Sequence, residues 1–209
     1  MTAGGAPTAG APTDRGRRRR AAVLDAAAEL FRDRGFHATS IDEVGTAAGI
    51  SGPGLYRHFA SKDALLMAVL DRIWLRLKPA LEDAAVRDPE EALRLLLAAH
   101  LDLAFDQPAA LVLLVRELRH LPEEYRRRAR HNHRRYLDAW ADALQGVAPA
   151  LDRETARSVA LAVHGLIDSE ALHRQVLPRG RSREAQRVLL ERLAAAVLTE
   201  AVGRPVHPA

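Results

Sequence analysis

Tyr56, Arg57, His58 and Lys62 set four long polar side chains within seven positions, directly after Ser51-Gly52-Pro53-Gly54, where every side chain is small. A phenol, a guanidinium, an imidazole and an ammonium reach phosphate oxygens and base edges. Small residues ahead of them let the backbone approach a groove closely. The N–H groups at the start of the helix they open would add donors and the positive end of a dipole. Nucleic acid is the partner this combination fits.

The other chemistry-bearing residues do not assemble into a catalytic or metal-binding pattern. The sequence has nine histidines and no cysteine, so disulfides and thiolate metal sites are excluded. His131 and His133 are two apart and point to different faces of a helix, while His100, His120, His164 and His173 are isolated. His164 and Asp168 have the one-turn spacing of an acid–base pair in a small helical enzyme. No nucleophile or cofactor motif accompanies them. The expectation is no catalytic residue, no metal and no cofactor. Arg126-Arg127-Arg128, Arg130, Arg134 and Arg135 read as a solvated helix face, with a second DNA surface as the alternative.

Every element that must position these residues is helical. No alternating β-branched run bounded by turn residues occurs, and an all-α chain of about nine helices is predicted. The first helix, about 17–34, places Val23, Ala27, Leu30 and Phe31 on one face. Gly35 follows as its left-handed cap, with Phe36 as the cap's hydrophobic partner. Ser40 and Glu43 match a capping box for the second helix, whose inward face is Ile41, Val44 and Ala48. Gly49 supplies a tight turn, Ser51 caps the third helix, and Leu55 and Phe59 face inward. Two short helices hinged at a glycine are a helix-turn-helix. Ser61 caps a fourth helix from Lys62, which Pro79 should kink or end. Prolines at 89, 108 and 122 open helices near 89–106, 108–120 and 122–146, and two more run near 152–177 and 182–202.

Charge follows the same division. Residues 1–62 carry nine basic and six acidic side chains, whereas the other 147 carry 22 and 21. Most of the net charge of +4 therefore lies beside the helix-turn-helix, as a phosphate-binding surface requires. No apolar run approaches the roughly 20 residues of a membrane span, and residues 1–14 lack the apolar stretch of a secretory signal. A cytoplasmic protein with no membrane partner is expected.

Phe31-x3-Gly35-Phe36-x2-Thr39-Ser40, then Ala48-Gly49-Ile50-Ser51, then Leu55-Tyr56-x-His58-Phe59-x-Ser61-Lys62-x2-Leu65 resembles the TetR family of transcriptional regulators. The resemblance is sharp over residues 17–70 and extends loosely to the C-terminus through length and helical content. It implies a disordered tail over 1–16, a DNA-binding domain over 17–62, a ligand-binding and dimerisation domain over 63–202 and a loose tail over 203–209. It also implies that Thr39, Tyr56, His58 and Lys62 hold the DNA backbone. Arg17 and Arg18 would reach phosphate or the minor groove, and Ser40 and the 51–54 run lie along the same surface. The chain departs from the family's habit at Val44-Gly45, a helix-propensity cost of about 1 kcal/mol. It departs again at Gly52 and Gly54, which leave base reading to Ser51, Pro53, Tyr56 and above all Arg57.

For the larger region the resemblance implies a dimer and a small-molecule effector. Val159, Val163 and Leu166 with Leu189, Leu193 and Ala196 form apolar stripes suited to a four-helix bundle across a two-fold axis. Trp74, His100, Tyr136, Trp140 and His164 mark where a cavity could hold an apolar or amphipathic ligand. The expected protein is a homodimeric repressor released from a palindromic operator by such a ligand. A constitutive DNA-binding dimer with a closed core is the rival.

Overall fold

The computed structural model describes residues 14–173, 180 and 182–206. Among them every regular element is helical, as the sequence predicts: nine α-helices and one short 3-10 turn. The chain divides into two compact units, Met1–Leu65 and Leu66–Ala209.

The first unit holds α1 (Asp14–Arg34), α2 (Ile41–Ala47), α3 (Gly52–Tyr56) and the opening turn of α4 (Lys62–Ala84). Helix α1 begins three residues before its predicted start, with Asp14 in the first turn against the helix dipole. Val23, Leu24, Ala27 and Phe31 of α1 close on Ile41, Val44, Leu55 and Phe59, all buried. Gly35 adopts φ +91 and its N–H returns to the Phe31 carbonyl at 3.0 Å, while Phe36 packs edge-on against Phe31 at 5.1 Å. The capping box forms: Glu43 N–H donates to Ser40 Oγ at 3.2 Å and Ser40 N–H to Glu43 Oε2 at 2.7 Å. Gly49 makes the hinge at φ +68.

Gly45 changes meaning in three dimensions. A Cβ there would stand 2.8 Å from the Ile50 carbonyl oxygen, so the absent side chain lets α2 lie directly on the turn that leads to α3. The sequence shows only the helix-propensity cost. The fold shows what offsets it.

The second unit contains the rest of α4, then α5 (Pro89–Asp106), α6 (Pro108–Glu117), a 3-10 turn (Leu118–His120), α7 (Glu123–Val147), α8 (Arg153–His173) and α9 (Arg183–Val202). Its core joins Leu93, Leu96 and Leu97 of α5 to Trp140 and Leu144 of α7, Val163 and Ile167 of α8 and Leu198 of α9. Pro79 does not end α4, which continues to Ala84. Burial of Leu77 and Leu81 on either side holds the helix through the missing N–H. Gly203 closes α9 at φ +70. The next residues are tied rather than loose: Val206 N–H donates to Thr199 Oγ1 at 2.9 Å and Arg204 pairs with Glu90 at 2.9 Å. Residues 1–13, the predicted helix end at 174–177, Pro178-Arg179 and the last three tail residues lie outside the described residues. No single helix among the described residues is long and apolar enough to cross a membrane. Helices α5 and α6, bent at 87°, hold the most apolar stretch and give it to the core.

Candidate nucleic-acid interface and effector cavity

Helix α3 is five residues long and divides its side chains sharply. Leu55 is buried and Phe59, just beyond it, is too, whereas Tyr56 is 55% exposed and Arg57 and His58 stand in solvent. Ser51 spends its hydroxyl as the cap, accepting the Gly54 N–H at 3.3 Å. Pro53 is exposed in the first turn. Gly54 is buried, where a Cβ would stand 3.1 Å from Ser51 Oγ, and Gly52 lies against the Asp42 carboxylate. Both glycines therefore serve the tight α2–α3 turn. The free reach of this helix is Tyr56, Arg57 and His58.

Thr39 and Lys62 face a different way from the expectation. Thr39 is 1% exposed and its hydroxyl donates to the Gly35 carbonyl at 2.9 Å, so its side chain closes the α1–α2 loop. Lys62 Nζ donates to the carbonyls of Phe36, His37 and Thr39 at 3.0, 3.2 and 3.1 Å and lies 4.7 Å over the Phe36 ring. All three of its donors are engaged within the unit. Ser40 is exposed with its hydroxyl on Glu43, whose carboxyl the Ser40 N–H and hydroxyl hold below its ordinary range. Arg17 pairs with Asp14 and Arg18 is exposed on the same opening turn of α1. Arg20 lies 5.3 Å over the Phe59 ring, fixing α1 to the end of α3.

In the second unit a small, partly open cavity of about 80 Å³ lies among α4, α6 and α7. Its apolar wall is Leu70, Ile73, Trp74, Leu77 and Leu114. Its polar side comes mainly from α7: Tyr125, Arg128, Asn132, His133 and Tyr136, with Asp71 of α4. Of the five residues proposed from sequence, Trp74 and Tyr136 line it and the other three do not. His100, Trp140 and His164 form a buried block with Tyr136. Tyr136 Oη meets His100 Nδ1 at 3.2 Å, the His100 and His164 rings stack at 4.1 Å, and Trp140 meets His164 edge-on at 5.1 Å. Asp168 Oδ1 lies 3.2 Å from His100 Nε2 of α5, close enough for an ion pair with a protonated ring but without the alignment of a hydrogen bond. Its nearest basic group is therefore on α5 rather than the His164 one turn before it. Burial, then the neighbouring His100, pushes the His164 imidazole well below its ordinary range, and burial raises the Tyr136 phenol.

Sequence reasoning missed Asp71, Tyr125, Arg128 and Asn132. The signal was present: Tyr125, Ala129, Asn132 and Tyr136 repeat at helical spacing, one inward face inside a run dominated by arginine.

The C-terminal helices expose an apolar surface. Leu161 is 48% exposed, Leu172 38%, Val188 44%, Leu193 43% and Val197 36%. Of the six predicted contacts, Leu193 and Ala196 are exposed and Val159, Leu166 and Leu189 half-buried. Val163 is wholly buried within the chain, so its side chain is not on the surface. Leu166, Leu193, Ala196 and Val197 line one shallow depression on this face.

Comparison with known proteins gives the same division. The model of bacterial regulatory proteins of the tetR family matches residues 23–69, and that of the tetracyclin repressor-like C-terminal domain matches residues 86–172. A TetR-like transcriptional regulator from Rhodococcus sp. RHA1 is 30% identical over 84% of this chain and 93% of its own, with a TM-score of 0.61. The chain belongs to the TetR family. It is a DNA-binding transcriptional regulator rather than an enzyme. Among curated TetR-type relatives, the activator FasR of Mycolicibacterium smegmatis is 54% identical over 54 residues, 26% of this chain and 25% of FasR. The regulator RutR of Escherichia coli is 34% identical over 122 residues, 56% of each chain. The chain thus aligns with a quarter to about half of the length of these curated relatives.

Proposed function

We propose that this TetR-family chain is an effector-controlled repressor that binds a palindromic operator as a homodimer. The observation that carries the reading is the composition of α4. Its first turn gives Lys62 and Leu65 to the helix-turn-helix unit, and the same helix gives Leu70, Ile73, Trp74 and Leu77 to the cavity wall. A ligand that prefers one setting of α4 shifts the population of binding-competent recognition helices and lowers operator affinity. Tyr56, Arg57 and His58 carry the DNA contacts, with Arg57 as the main base-reading group. The exposed apolar faces of α8 and α9, centred on Leu161, Leu193 and Val197, support a two-fold bundle as the dimer contact. The presence of a cavity supports this reading over the constitutive one, which called for a closed core.

The effector is an apolar or amphipathic small molecule, matching a largely hydrophobic wall with polar groups gathered on α7. The strong similarity to FasR is confined to 54 residues, so it bears on the DNA-binding unit and not on whether binding activates or represses. The test joins two measurements. Operator DNA selected from a random library is titrated by fluorescence anisotropy, with and without compounds that raise the melting temperature of the protein. Release of the operator by such a compound is expected. Stabilising ligands that leave operator affinity unchanged would leave only the constitutive reading.

A further inference from the structure

We propose that the cavity of the second unit takes an amphiphile whose polar end is an anion, and that Arg128 selects it by exchanging Asp71 for the ligand's carboxylate or phosphate. The inference rests on reading this cavity as the effector site.

The polar groups of the cavity are not spread evenly. Arg128 donates from one nitrogen to both Asp71 oxygens at 3.1 and 3.2 Å, and its guanidinium lies 4.8 Å over the Tyr125 ring. Tyr125 Oη donates to the same Asp71 oxygen at 3.1 Å and lies within reach of the Met67 carbonyl at 3.2 Å. Arg135, two turns further along α7, sits 5.4 Å over the ring of Trp74, part of the apolar wall. Two arginines therefore flank a cavity that holds one carboxylate.

The Arg128–Asp71 pair is half exposed, 56% and 44% for the two side chains. Such a pair is worth at most about 1 kcal/mol, so an incoming anion displaces Asp71 at small cost. The anion then meets a planar guanidinium able to bind it through two parallel hydrogen bonds, beside an apolar wall that excludes water from one side. Asn132 and Tyr125 remain as neutral donors around it. A cationic amphiphile would have to displace Arg128 from Asp71 and settle beside Arg135, which favours the anion. Asp71 belongs to α4, so the exchange breaks a contact between α4 and α7 at the moment the ligand binds.

Calorimetry on the full chain with four ten-carbon probes tests this: decanoate, decyl phosphate, methyl decanoate and decyltrimethylammonium. At least one anion is expected to bind about tenfold more tightly than the ester, the gain expected of a charge-assisted contact. Whichever anion is tighter names the head group. Arg128→Gln is expected to abolish that preference, Arg128→Lys to keep part of it, and Asp71→Asn to tighten anion binding several-fold by removing the competitor. A merely structural ion pair predicts the opposite for Asp71→Asn, a loss equal to that of Arg128→Gln, and that result overturns the proposal. Equal binding of anions and ester, or tightest binding of the cation, overturns the anion anchor and leaves the effector cavity standing. Binding of none of the four overturns both.

Discussion

Single residues in this protein do work that their type alone does not announce. Gly45 looks like a weak helix position and is a spacing device, because any β-carbon there runs into the Ile50 carbonyl. Gly45→Ala is therefore expected to destabilise the first unit by about 1–3 kcal/mol, the cost of overpacking against a rigid neighbour. Urea denaturation measures this, and an unchanged midpoint would contradict the close approach. His164 offers a second residue-scale outcome. Its imidazole is neutral in the fold because burial lowers its pKa, while the unfolded chain protonates near 6.5. The stability it contributes is thus complete above that pH and is lost as pH falls below it, by at most about 1.4 kcal/mol per unit. His164→Phe keeps a ring in the stack and should flatten that slope in denaturation curves between pH 7 and pH 5. Thr39 and Lys62 show the converse: their types suit phosphate contacts, yet their polar atoms are already paired within the unit.

At the level of elements, helix boundaries were the most legible feature of the sequence. Ser40, Ser51 and Ser61 cap α2, α3 and α4, and prolines open α5 and α6, because caps and prolines act on the backbone within one turn. Faces were less legible than boundaries. Val163 and Leu161 are two apart on α8 and both apolar, yet one is wholly buried and the other half exposed. Periodicity finds a stripe but not which neighbour covers it. Leu193→Asp on α9 is expected to shift the protein from dimer to monomer in sedimentation equilibrium without changing its helical circular dichroism. A dimer that survives both Leu193→Asp and Val197→Asp would move the interface elsewhere. In the proposed function the exposed trio at the end of α3 and just beyond it gives Arg57 the discriminating role. Arg57→Ala should weaken cognate DNA by about 1–3 kcal/mol and scrambled DNA much less. Equal losses on both would reduce Arg57 to a phosphate contact.

For the molecule as a whole, the proposed function requires coupling between DNA binding and the cavity, and coupling is reciprocal. The factor by which an effector weakens operator binding must equal the factor by which operator weakens effector binding. Measuring both affinities with and without the other ligand is expected to return one number. A mismatch outside error would mean that the compound acts on DNA binding from some other place. Operator affinity should also fall steeply with salt, since arginine-rich contacts to phosphate release counterions on binding.

The sequence by itself determined the helices, their caps, the inward pair Leu55 and Phe59 and the exposed run from Tyr56 to His58, because all of these are set within one or two turns of chain. Only the tertiary structure decided which polar groups share a space. It brought Asp71 to Arg128 across 57 positions and Asp168 to His100 across 68, and it left His164 without the partner its spacing suggested. Those pairings depend on how α4, α5, α7 and α8 pack, and helix packing depends on the shape of whole faces that no local spacing encodes.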